Sequence, residues 1–499
     1  MRSGLLHSTE LLHTCFTRAR VCPPWKNRSS YHWASTVRWA SHSNAKTWSQ
    51  RSFCCAASAS QAADSAAKVS STPGNVVQIL RERGLLQDIA GEGLEQAAAN
   101  GPLTLYLGFD PTADSLHLGS LLGLIVLRWF QKCGHKVIAL VGGATGRVGD
   151  PSGRSLERPV LSEAEIDGNV AGIRRNIESF LRPEAGSSPS VINNLDWLGG
   201  ISFLDFLRDV GRFSRVNIML SRDSVKSRLG REEGISFTEF TYQLLQGYDF
   251  LHLNQHHGVR LQVGGSDQMG NILTGLDLIR RCSDAGADSC FGLCFPLLTR
   301  TDGTKMGKSA EGAVWLAPEK LSPFKFYQYL LGSVPDTDVI KFLRMLTFLP
   351  LADIASLEGS MGSAEYKPNT AQRLLAEEVT RMVHGEEGLQ QALKATEALA
   401  PGKRTQLDAA ALEAIAEDAP TATLPREQVV GAPLADIIAA TGMQPSKGAA
   451  KRMIKGGGVR MNNEKVAEET QTVTEEDLIE GRLLLLATGK KNKLVLRIE

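Results

Sequence analysis

The residues best suited to chemistry lie in two short segments that are far apart in the chain. His117-Leu-Gly-Ser120 follows an apolar run at 103–108 and opens an apolar helix that we predict to extend to about residue 133. Lys305-Met-Gly-Lys-Ser309 lies in a glycine-containing loop after the apolar run 291–298. A histidine at a helix N-terminus stands beside unpaired backbone N–H groups, which attract anions. Two loop lysines can bring more positive charge to the same anion, so the pair of segments suits a triphosphate that is attacked at its α-phosphorus.

Two glycine-rich segments resemble other nucleotide-binding motifs. Gly142-Gly-Ala-Thr-Gly-Arg-Val-Gly149 resembles a dinucleotide fingerprint, which is a weak signal by itself. Gly303-Thr-Lys-Met-Gly-Lys-Ser309 resembles a P-loop, but it has one residue too few between its glycines. We therefore reject the P-loop interpretation.

A further set of polar residues suggests a substrate slot. Tyr242, Gln246 and Asp249 occur at i, i+4 and i+7, so a helix that begins at Phe237 presents all three on one face. Such a stripe is often the solvated side of a helix. Here the neighbouring residues are apolar, which favours a lined pocket. These neighbours are Phe240, Leu244, Leu245 and Phe250.

The elements that must position these residues alternate between strands and helices. Apolar runs at 103–108, 137–141, 259–263 and 291–298 are the strand candidates, and glycine-rich turns follow several of them. This pattern predicts an α/β fold with a parallel sheet that binds nucleotide at its carboxyl edge. We expect a Rossmann-like catalytic domain at 73–317, an all-helical domain at 318–400, a flexible linker at 401–431 and a small α+β domain at 432–499.

The composition bounds the class of protein. The chain has 499 residues, enough for two or three domains, and its 55 basic and 54 acidic residues nearly cancel. Residues 1–60 hold eight Lys and Arg but one acid, Glu10, which is typical of an organellar transit peptide. We predict such a leader and a disordered joint at 1–72, with a cytosolic tail as the alternative. No run reaches the roughly 18 apolar residues of a membrane span, so we expect a soluble protein without a membrane partner.

The cysteines outside the leader do not predict a metal site. Cys133, Cys282, Cys290 and Cys294 form no Cys-x-x-Cys pair and lack zinc-ligand spacing. We expect ordinary reduced thiols.

Longer segments around these residues carry a resemblance to a known family. The two short motifs are variant forms of the HIGH and KMSKS motifs of class I aminoacyl-tRNA synthetases. Residues 75–499 as a whole resemble a bacterial-type tyrosyl-tRNA synthetase. The segments that carry the match are Tyr106-Leu-Gly-Phe-Asp-Pro-Thr, Val141-Gly-Gly-Ala-Thr-Gly, Gly149-Asp-Pro-Ser-Gly, Phe237-Thr-Glu-Phe-Thr-Tyr-Gln-Leu-Leu-Gln246 and Gly264-Gly-Ser-Asp-Gln268.

This resemblance implies an activity and its partners. The chain would activate L-tyrosine with ATP to tyrosyl-adenylate and pyrophosphate, then transfer tyrosine to tRNA(Tyr) for organellar translation. Mg²⁺ would accompany ATP, held by phosphate oxygens, with no tightly bound cofactor and no metal held by the protein. The protein would be a homodimer in the mitochondrial matrix, the plastid stroma or both.

The resemblance also assigns roles to particular residues. Tyr106 and Asp249 would hold the phenol, and Asp150, Tyr242 and Gln246 the α-amino group. Gln268 would orient the carboxylate, and Asp267 would accept the ribose hydroxyls. The residues expected at the pyrophosphate are Thr112, His117, Lys305, Lys308 and Ser309, with Arg154 and Arg158 as a second clamp. Asp110 is further expected at tyrosine, and Gly108, Gly119, Ser120 and Gly265 at ATP. Ser120 stands where the family commonly has a second histidine, so we expect a modest loss of rate.

The C-terminal segment has segregated charge. Between residues 447 and 465 there are six basic residues and one acid, and an acidic stretch follows at 466–480. A solvated basic helix is the simple interpretation, but the pattern also resembles the RNA-binding module of ribosomal protein S-four. The residues expected to face RNA are Lys447, Lys451, Arg452, Lys455 and Arg460.

Two other functions fit part of the pattern. A tryptophanyl-tRNA synthetase shares the fold and both short motifs, but Tyr106, Asp249 and the C-terminal module argue against it. A non-catalytic RNA-binding relative would be expected to lose pocket groups, and the pocket groups remain. Tyrosine-dependent ATP–pyrophosphate exchange distinguishes all three possibilities.

Overall fold

The computed structural model describes residues 74–153, 159, 161–183, 188–232, 234–282, 289–309, 312–398, 409–416, 420–489 and 492–499. The predicted transit peptide at 1–72, and the side chains of Arg154 and Arg158, lie outside these residues. Within the described ranges, no helix is both long and apolar enough to cross a membrane.

The catalytic part is built on a mostly parallel sheet, as the sequence predicts. Its strands, among the described residues, are β1 (Asp88–Ala90), β2 (Thr104–Phe109), β3 (Lys136–Val141), β4 (Ser190–Asn193), β5 (Leu261–Gly265) and β6 (Phe291–Phe295). Their order is β1-β6-β5-β2-β3-β4, and β1 pairs with β6 in the antiparallel sense. The four predicted strands are all present, whereas β1 and β4 are too short to give a clear apolar run.

The chain order reverses between β2 and β5. β2 pairs with β3 on one side and with β5 on the other, with Tyr106 opposite Gln262. In an open α/β sheet, a crevice forms outside the carboxyl ends of the strands at such a switch point. The segments predicted to carry chemistry follow β2, β5 and β6, so the sheet brings them to this crevice.

Helices cover both faces of the sheet. In chain order they are α1 (Val76–Glu82), α2 (Leu94–Ala99), α3 (Leu118–Lys132), α4 (Glu163–Phe180), α5 (Leu195–Leu198), α6 (Phe203–Asp209), α7 (Val216–Leu220), α8 (Asp223–Leu229), α9 (Phe237–His257) and α10 (Met269–Cys282). α3 is the predicted apolar helix, and its buried residues pack into the main hydrophobic core beneath the sheet. Ser236 is the N-cap of α9, and its hydroxyl accepts a hydrogen bond from the backbone N–H of Glu239.

A short hairpin and a helical region follow the sheet. The hairpin strands are β7 (Lys308–Ser309) and β8 (Gly312–Ala313). The helices are α11 (Pro323–Ser333), α12 (Asp336–Leu346), α13 (Leu351–Ser360) and α14 (Thr370–Ala398). α14 is kinked at Gly385, which has a positive φ of 75°. Apolar residues of these helices join the same core as the sheet, so the two parts pack as one body.

The C-terminal part is a small mixed α+β unit. Its elements are α15 (Ala409–Ala416), β9 (Thr421–Leu424), α16 (Arg426–Val429), α17 (Leu434–Ala440), α18 (Lys447–Lys455), β10 (Val459–Met461), β11 (Glu464–Lys465), β12 (Leu483–Thr488) and β13 (Asn492–Ile498). The strands among the described residues form a sheet in the order β11-β10-β12-β13-β9, over a core of its own. The predicted fold class, a Rossmann-like domain followed by helices and a small α+β domain, is confirmed.

The prediction of a flexible linker over 401–431 is wrong for the described part of that range. β9 pairs in parallel with β13, with Val495 opposite Thr421, so it is an edge strand of the C-terminal sheet. α15 packs its apolar side against β12 and β13. The Ala- and Thr-rich composition suggested a connector, but small side chains also suit a helix and an edge strand that lie close against a sheet. The C-terminal unit therefore begins before the predicted boundary at residue 432.

Candidate active site

A cavity of about 840 Å³ opens at the carboxyl edge of the sheet, at the switch point between β2 and β5. Residues from both short motifs line it, together with residues from α9 and from the turn after β5. The predicted site residues that line it are Tyr106, Gly108, Asp110, Thr112, His117, Gly119, Ser120, Asp150, Tyr242, Gln246, Asp249, Gly265, Asp267, Gln268 and Lys305. The sequence-based grouping of these residues into a shared site is therefore supported by their placement.

The phenol end of the cavity is deeply buried. The Tyr106 side chain on β2 is 1% exposed and that of Asp249 on α9 is 2% exposed. The Tyr106 ring packs against Phe250, with ring centroids 5.6 Å apart. The Tyr106 hydroxyl oxygen has no hydrogen-bond partner among the described residues. Because a buried polar atom usually has a partner, this hydroxyl is suited to a polar group of a ligand.

Two donors hold the Asp249 carboxylate in place. Asn194 Nδ2 donates to Oδ2 and Trp197 Nε1 donates to Oδ1, each at 2.9 Å. Burial, with a smaller contribution from the nearby Asp110 carboxylate, raises the pKa of the Asp249 carboxyl to about 7, against the lowering effect of the two hydrogen bonds. Burial likewise raises the pKa of the Tyr106 hydroxyl well above its usual range. The slot thus offers a neutral phenol and a fixed acceptor.

A second polar cluster surrounds Asp110. Tyr242 Oη donates to Asp110 Oδ2 at 2.7 Å, and Thr145 Oγ1 donates to Oδ1 at 2.8 Å. Tyr242 is buried, lines the cavity and uses its proton in this bond, so its oxygen can act towards a ligand only as an acceptor. Asn194 joins the two clusters, because its amide also donates to Thr145 Oγ1 at 3.0 Å.

A third polar cluster surrounds Asp150, after the loop that follows β3. Gln268 Nε2 donates to Asp150 Oδ2 at 2.7 Å. Asn271 Nδ2 donates to Gln246 Oε1 at 2.9 Å and lies 3.2 Å from Gln268 Oε1. Carboxylate, hydroxyl and amide oxygens from Asp150, Tyr242 and Gln246 therefore border the same part of the cavity, as an ammonium group requires.

Glycines are needed where the chain turns beside these carboxylates. A Cβ on Gly142 would lie 2.2 Å from Asp110 Oδ1 and 2.3 Å from Thr145 Oγ1. A Cβ on Gly153 or on Gly265 would lie 2.8 Å from a carboxylate oxygen of Asp267. Gly142, in the string that resembles a dinucleotide fingerprint, thus makes room for Asp110, and Gly153 and Gly265 make room for Asp267.

The two cation-bearing motifs meet at the start of α3. His117 is the N-cap, and its Nδ1 accepts a hydrogen bond from the Gly119 N–H at 3.0 Å. We expected Gly119 to leave room for a nucleotide; the His117 ring also occupies this space, since a Cβ on Gly119 would lie 2.9 Å from ring atom Cε1. A Cβ on Gly307 would lie 3.4 Å from the backbone N of Gly119. The backbones of the two motifs therefore lie close to each other.

Val314 links the two motifs through two backbone hydrogen bonds. The Val314 N–H donates to Gly307 O at 2.9 Å, and the Leu118 N–H donates to Val314 O at 2.8 Å. Lys305 is exposed and lines the cavity. For Lys308 and Ser309 the backbone forms β7, and their side chains lie outside the described part of the chain. The predicted roles of those side chains therefore stay predictions.

Four of the five predicted RNA-facing residues lie on one helix of the C-terminal unit. The fifth, Arg460, lies on the opposite face of the sheet, because its neighbours Val459 and Met461 point into the core that α18 covers. Ser446 caps α18, accepting from the Ala449 N–H at 3.2 Å, as the sequence predicts. Lys447, Lys451, Arg452 and Lys455 are exposed on this helix, while Ala450 and Ile454 pack inward. Arg460, on the neighbouring strand β10, is half-buried. The four basic residues of α18 thus lie on the outer face of an amphipathic helix.

Comparison with known proteins bears on what this site does. Residues 98–400 match the family described as tRNA synthetases class I (W and Y), and residues 411–496 match the tyrosine–tRNA ligase SYY-like C-terminal domain. The chloroplastic/mitochondrial tyrosine–tRNA ligase of Arabidopsis thaliana is 56% identical over 429 residues, which cover 85% of this chain and 84% of that protein. The tyrosine–tRNA ligase of Protochlamydia amoebophila is 51% identical over 85% of this chain and 99% of its own.

The chain belongs to the class I tyrosyl-tRNA synthetases. A solved structure agrees: a C-terminally truncated mitochondrial tyrosyl-tRNA synthetase from Aspergillus nidulans superposes with a TM-score of 0.58 at 32% identity, over 65% of this chain and 94% of that one. The synthetase is thus an ATP-using enzyme of the aminoacyl-tRNA synthetase class, and its activity is that of a tyrosine–tRNA ligase. The family predicted from the sequence motifs is confirmed.

Several site residues of this synthetase were not found from its sequence. Asn194 and Trp197 hold Asp249, Thr145 holds Asp110, and Asn271 joins Gln246 to Gln268. The sequence holds a usable signal for two of these residues. Asn194 directly follows β4 at the same sheet edge as the other site residues, and Asn271 lies three residues after Gln268, on the same side of the turn into α10.

Proposed function

We propose that this synthetase works in an organelle and makes tyrosyl-tRNA in two steps. Tyrosine and ATP first form tyrosyl-adenylate and pyrophosphate, and the tyrosyl group then moves to the 3′ end of tRNA(Tyr). The observation that carries this proposal is that a buried phenol slot and both cation-bearing motifs open into the same cavity. A substrate amino acid in the slot would have its carboxylate directed towards a triphosphate at the α3 N-terminus.

The slot supports the choice of tyrosine. We propose that the substrate phenol bonds to the Tyr106 hydroxyl and to the Asp249 carboxylate. Phenylalanine would leave the buried Tyr106 hydroxyl without a partner and would give the buried Asp249 carboxylate no donor beyond Asn194 and Trp197, which is costly. Tyrosyl-tRNA synthetase is a standard example of this effect, with discrimination against phenylalanine of roughly 10⁵.

The substrate backbone would then lie against the polar clusters. Asp150, Tyr242 and Gln246 would hold the ammonium group, with Asp110 orienting Tyr242. Gln268 donates to Asp150, so it would help to place both the ammonium and the adjacent carboxylate. In this position the carboxylate oxygen attacks the α-phosphorus, the bond from that phosphorus to the β-phosphate bridging oxygen breaks, and pyrophosphate leaves.

The charge that develops on pyrophosphate would be stabilised by the motif residues. His117 lies at the α3 N-terminus, Thr112 lines the cavity from the segment between β2 and α3, and Lys305 reaches the cavity from the loop. We propose that Lys308, Ser309, Arg154 and Arg158 act on the same phosphates. Gly108, Gly119, Ser120 and Gly265 would border the nucleotide, and Asp267 would accept the ribose hydroxyls. Preorganised charge of this kind is usually the largest single contribution to catalysis.

Mg²⁺ would accompany ATP rather than bind to the protein alone. The phosphate end of the cavity presents Thr112, His117 and Lys305, which are donors for an anion rather than carboxylate ligands for a hard cation. We propose that the nucleotide's own phosphate oxygens hold the metal ion, which neutralises part of their charge.

We propose that the outer parts of the chain bind the tRNA. The exposed basic face of α18 suits the phosphate backbone of RNA. Arg460 lies on the opposite face of the sheet, so it would not be part of this surface. The helical region would contact the anticodon stem, as its place between the catalytic part and the basic unit suggests. Residues 73–317 would thus perform the chemistry and later residues would hold the tRNA.

We propose that the synthetase is a homodimer. Large apolar side chains are exposed on consecutive elements that pack on one small cluster around Val210, Met219, Leu244 and Leu278. They are Phe203, Leu204, Leu207, Val216, Ile218, Leu220, Leu229, Phe237 and Leu273. A patch of this kind marks a protein interface. In analytical ultracentrifugation the wild type should sediment as a dimer and Phe237→Asp, at a side chain that is 66% exposed, as a monomer; a monomeric wild type would contradict the proposal.

The organelle can be identified by import. The relative from Arabidopsis thaliana is named as chloroplastic/mitochondrial, which supports mitochondria, plastids or both. A fluorescent protein fused to residues 1–75 should accumulate in one or both organelles. Diffuse cytosolic fluorescence would contradict the organellar location.

ATP–pyrophosphate exchange tests the central proposal. The mature protein should exchange with tyrosine and not with tryptophan or phenylalanine, and it should charge tRNA(Tyr). Exchange with tryptophan would indicate that the substrate is tryptophan, the other amino acid used by this family. A protein that binds tRNA but shows no exchange would overturn the proposal in favour of a non-catalytic RNA-binding role.

A further inference from the structure

The loop that carries Lys305 is attached to the helical region at two points on either side of the lysine. We call residues 299–307 the lysine loop. The Thr301 backbone N–H donates to both carboxylate oxygens of Asp338 on α12, at 3.0 and 3.2 Å, and the Thr301 hydroxyl also donates to Oδ1. The Gly307 N–H donates to Tyr329 Oη on α11 at 3.1 Å. The lysine therefore lies between two anchors.

The first anchor is buried. Asp338 is 1% exposed and lies in the first turn of α12, where a negative charge is favoured by the helix dipole. A buried carboxylate needs hydrogen-bond donors, and the donors here are the backbone and side chain of Thr301. These hydrogen bonds thus supply the buried Asp338 carboxylate with donors, and they fix the backbone of the loop at Thr301. Lys341 on the same helix adds a bond from Nζ to Thr299 O at 2.8 Å.

The part of the loop between the anchors projects into solvent. Residues 301–305 are exposed, and their backbone is held by a short hairpin in which Arg300 N–H donates to Thr304 O at 2.9 Å. Beyond Lys305 the chain reaches Gly307, whose φ of +110° lets it pass beside Gly119 at the start of α3. The position of Lys305 over the cavity is therefore set by the helical region on one side and by the His117 motif on the other.

We propose that Asp338 and Tyr329 are positioning residues for tyrosine activation: they hold the lysine loop so that Lys305 reaches the departing pyrophosphate. Neither residue lines the cavity, so each acts through the loop. Misplacement of a catalytic group by about 1 Å can reduce a rate by roughly a hundredfold. The tyrosine slot is formed by β2 and α9, which the anchors do not touch.

The test uses two matched pairs of variants of the full chain. Tyr329→Phe removes a hydroxyl that accepts from the loop, and Tyr366→Phe removes a hydroxyl that accepts from the Ala371 N–H at 3.0 Å, within the helical region. Asp338→Asn weakens the buried anchor, and Asp336→Asn alters a carboxylate of the same helix that accepts from Gln372 Nε2 at 2.6 Å. Tyrosine-dependent ATP–pyrophosphate exchange is measured for each, together with tyrosine affinity by equilibrium binding.

We expect Tyr329→Phe and Asp338→Asn to lower kcat for exchange by about tenfold to a hundredfold with tyrosine affinity unchanged. The control variants should behave as the wild type. In a Lys305→Ala background, in which one of the groups that the loop positions is gone, Tyr329→Phe and Asp338→Asn should each have a smaller effect than in the wild type. Such non-additivity is not expected of residues that merely stabilise the fold.

Three results would overturn the proposal. The first is a kcat for Tyr329→Phe equal to that of Tyr366→Phe. The second is a full multiplicative effect of the anchor variants in the Lys305→Ala background. The third is an equal loss of tyrosine affinity, which would indicate general destabilisation. If Asp338→Asn does not fold, Tyr329→Phe, which removes one oxygen atom at a half-buried side chain, decides the question alone.

Discussion

Replacing Asp249 by asparagine should stabilise the ligand-free protein at about pH 8 and weaken its binding of tyrosine. Burial raises the pKa of this carboxyl from 3.8 to about 7, and each pH unit corresponds to about 1.36 kcal/mol. The ionised side chain therefore costs the folded state about 4 kcal/mol at pH values above 7. An amide carries no charge, but it presents an NH₂ group to either Asn194 or Trp197, which costs about 1–3 kcal/mol. Asp249→Asn should thus raise the free energy of unfolding by about 1–3 kcal/mol at about pH 8.

The sign of this effect depends on pH. Between pH 3.8 and about 7 the folded state of the wild type holds a proton that the unfolded chain has released, so wild-type stability falls as the pH rises through this window. At about pH 5 most of the cost of the charge has disappeared, and the advantage of the variant should shrink by about 3 kcal/mol. The variant is then equal to the wild type or less stable.

Urea denaturation of the ligand-free protein, followed by tryptophan fluorescence at constant protein concentration, measures the difference between variant and wild type. Asp196→Asn, at an exposed carboxylate beside Trp197, is the control and should follow the wild type at both pH values. Tyrosine affinity of Asp249→Asn should fall about tenfold or more, because a hydrogen bond to a charged acceptor is lost. A variant that is destabilised equally at both pH values would refute the reasoning.

Three other variants test separate parts of the site. Tyr106→Phe removes an unpartnered buried hydroxyl, so it should bind tyrosine about tenfold more weakly in calorimetric titration, with no loss of stability and no change for phenylalanine; destabilisation would contradict this. Gly142→Ala places a Cβ 2.2 Å from Asp110 Oδ1, so it should raise the KM for tyrosine and destabilise the protein by about 1–3 kcal/mol. Gly168→Ala on α4, with no atom within 4 Å of the added Cβ, is its control and should retain wild-type KM. Charge reversal of Lys451 and Arg452 to glutamate should lower kcat/KM for tRNA charging and weaken its salt dependence while exchange stays normal; unchanged charging would remove α18 from the RNA surface.

The sequence was sufficient for the family, the sheet and most of the cavity. The strands that carry the site are apolar and lie beside motifs with recognisable spacing, so β2, β3, β5 and β6 were predictable. The helical spacing of Tyr242, Gln246 and Asp249 was informative because those side chains share one helix face. What the sequence did not reveal was the support for these residues, such as Asn194 and Trp197, because hydrogen bonds between distant segments leave no periodic pattern.

The N-terminal boundary of the C-terminal unit was wrong because its first strand has no apolar pattern of its own. The residues around 421–424 have a composition typical of a loop, and β9 exists because β13 offers an edge with unpaired backbone groups. The anchor of the lysine loop is a similar case. Asp338 occurs in an ordinary amphipathic helix, and nothing near it in the chain indicates that it accepts from Thr301.

The pairing of β2 with β5 governs when this enzyme can become active during folding. Tyr106 and Gln262 are neighbours in the sheet, although β3, β4 and several helices lie between them along the chain. Closing so long a segment costs entropy before contacts are gained, and such non-local pairing slows folding. Without β5 beside β2, the crevice has only one of its walls. A substrate that contacts both walls therefore binds only after this long-range pairing has formed, so it stabilises the finished sheet.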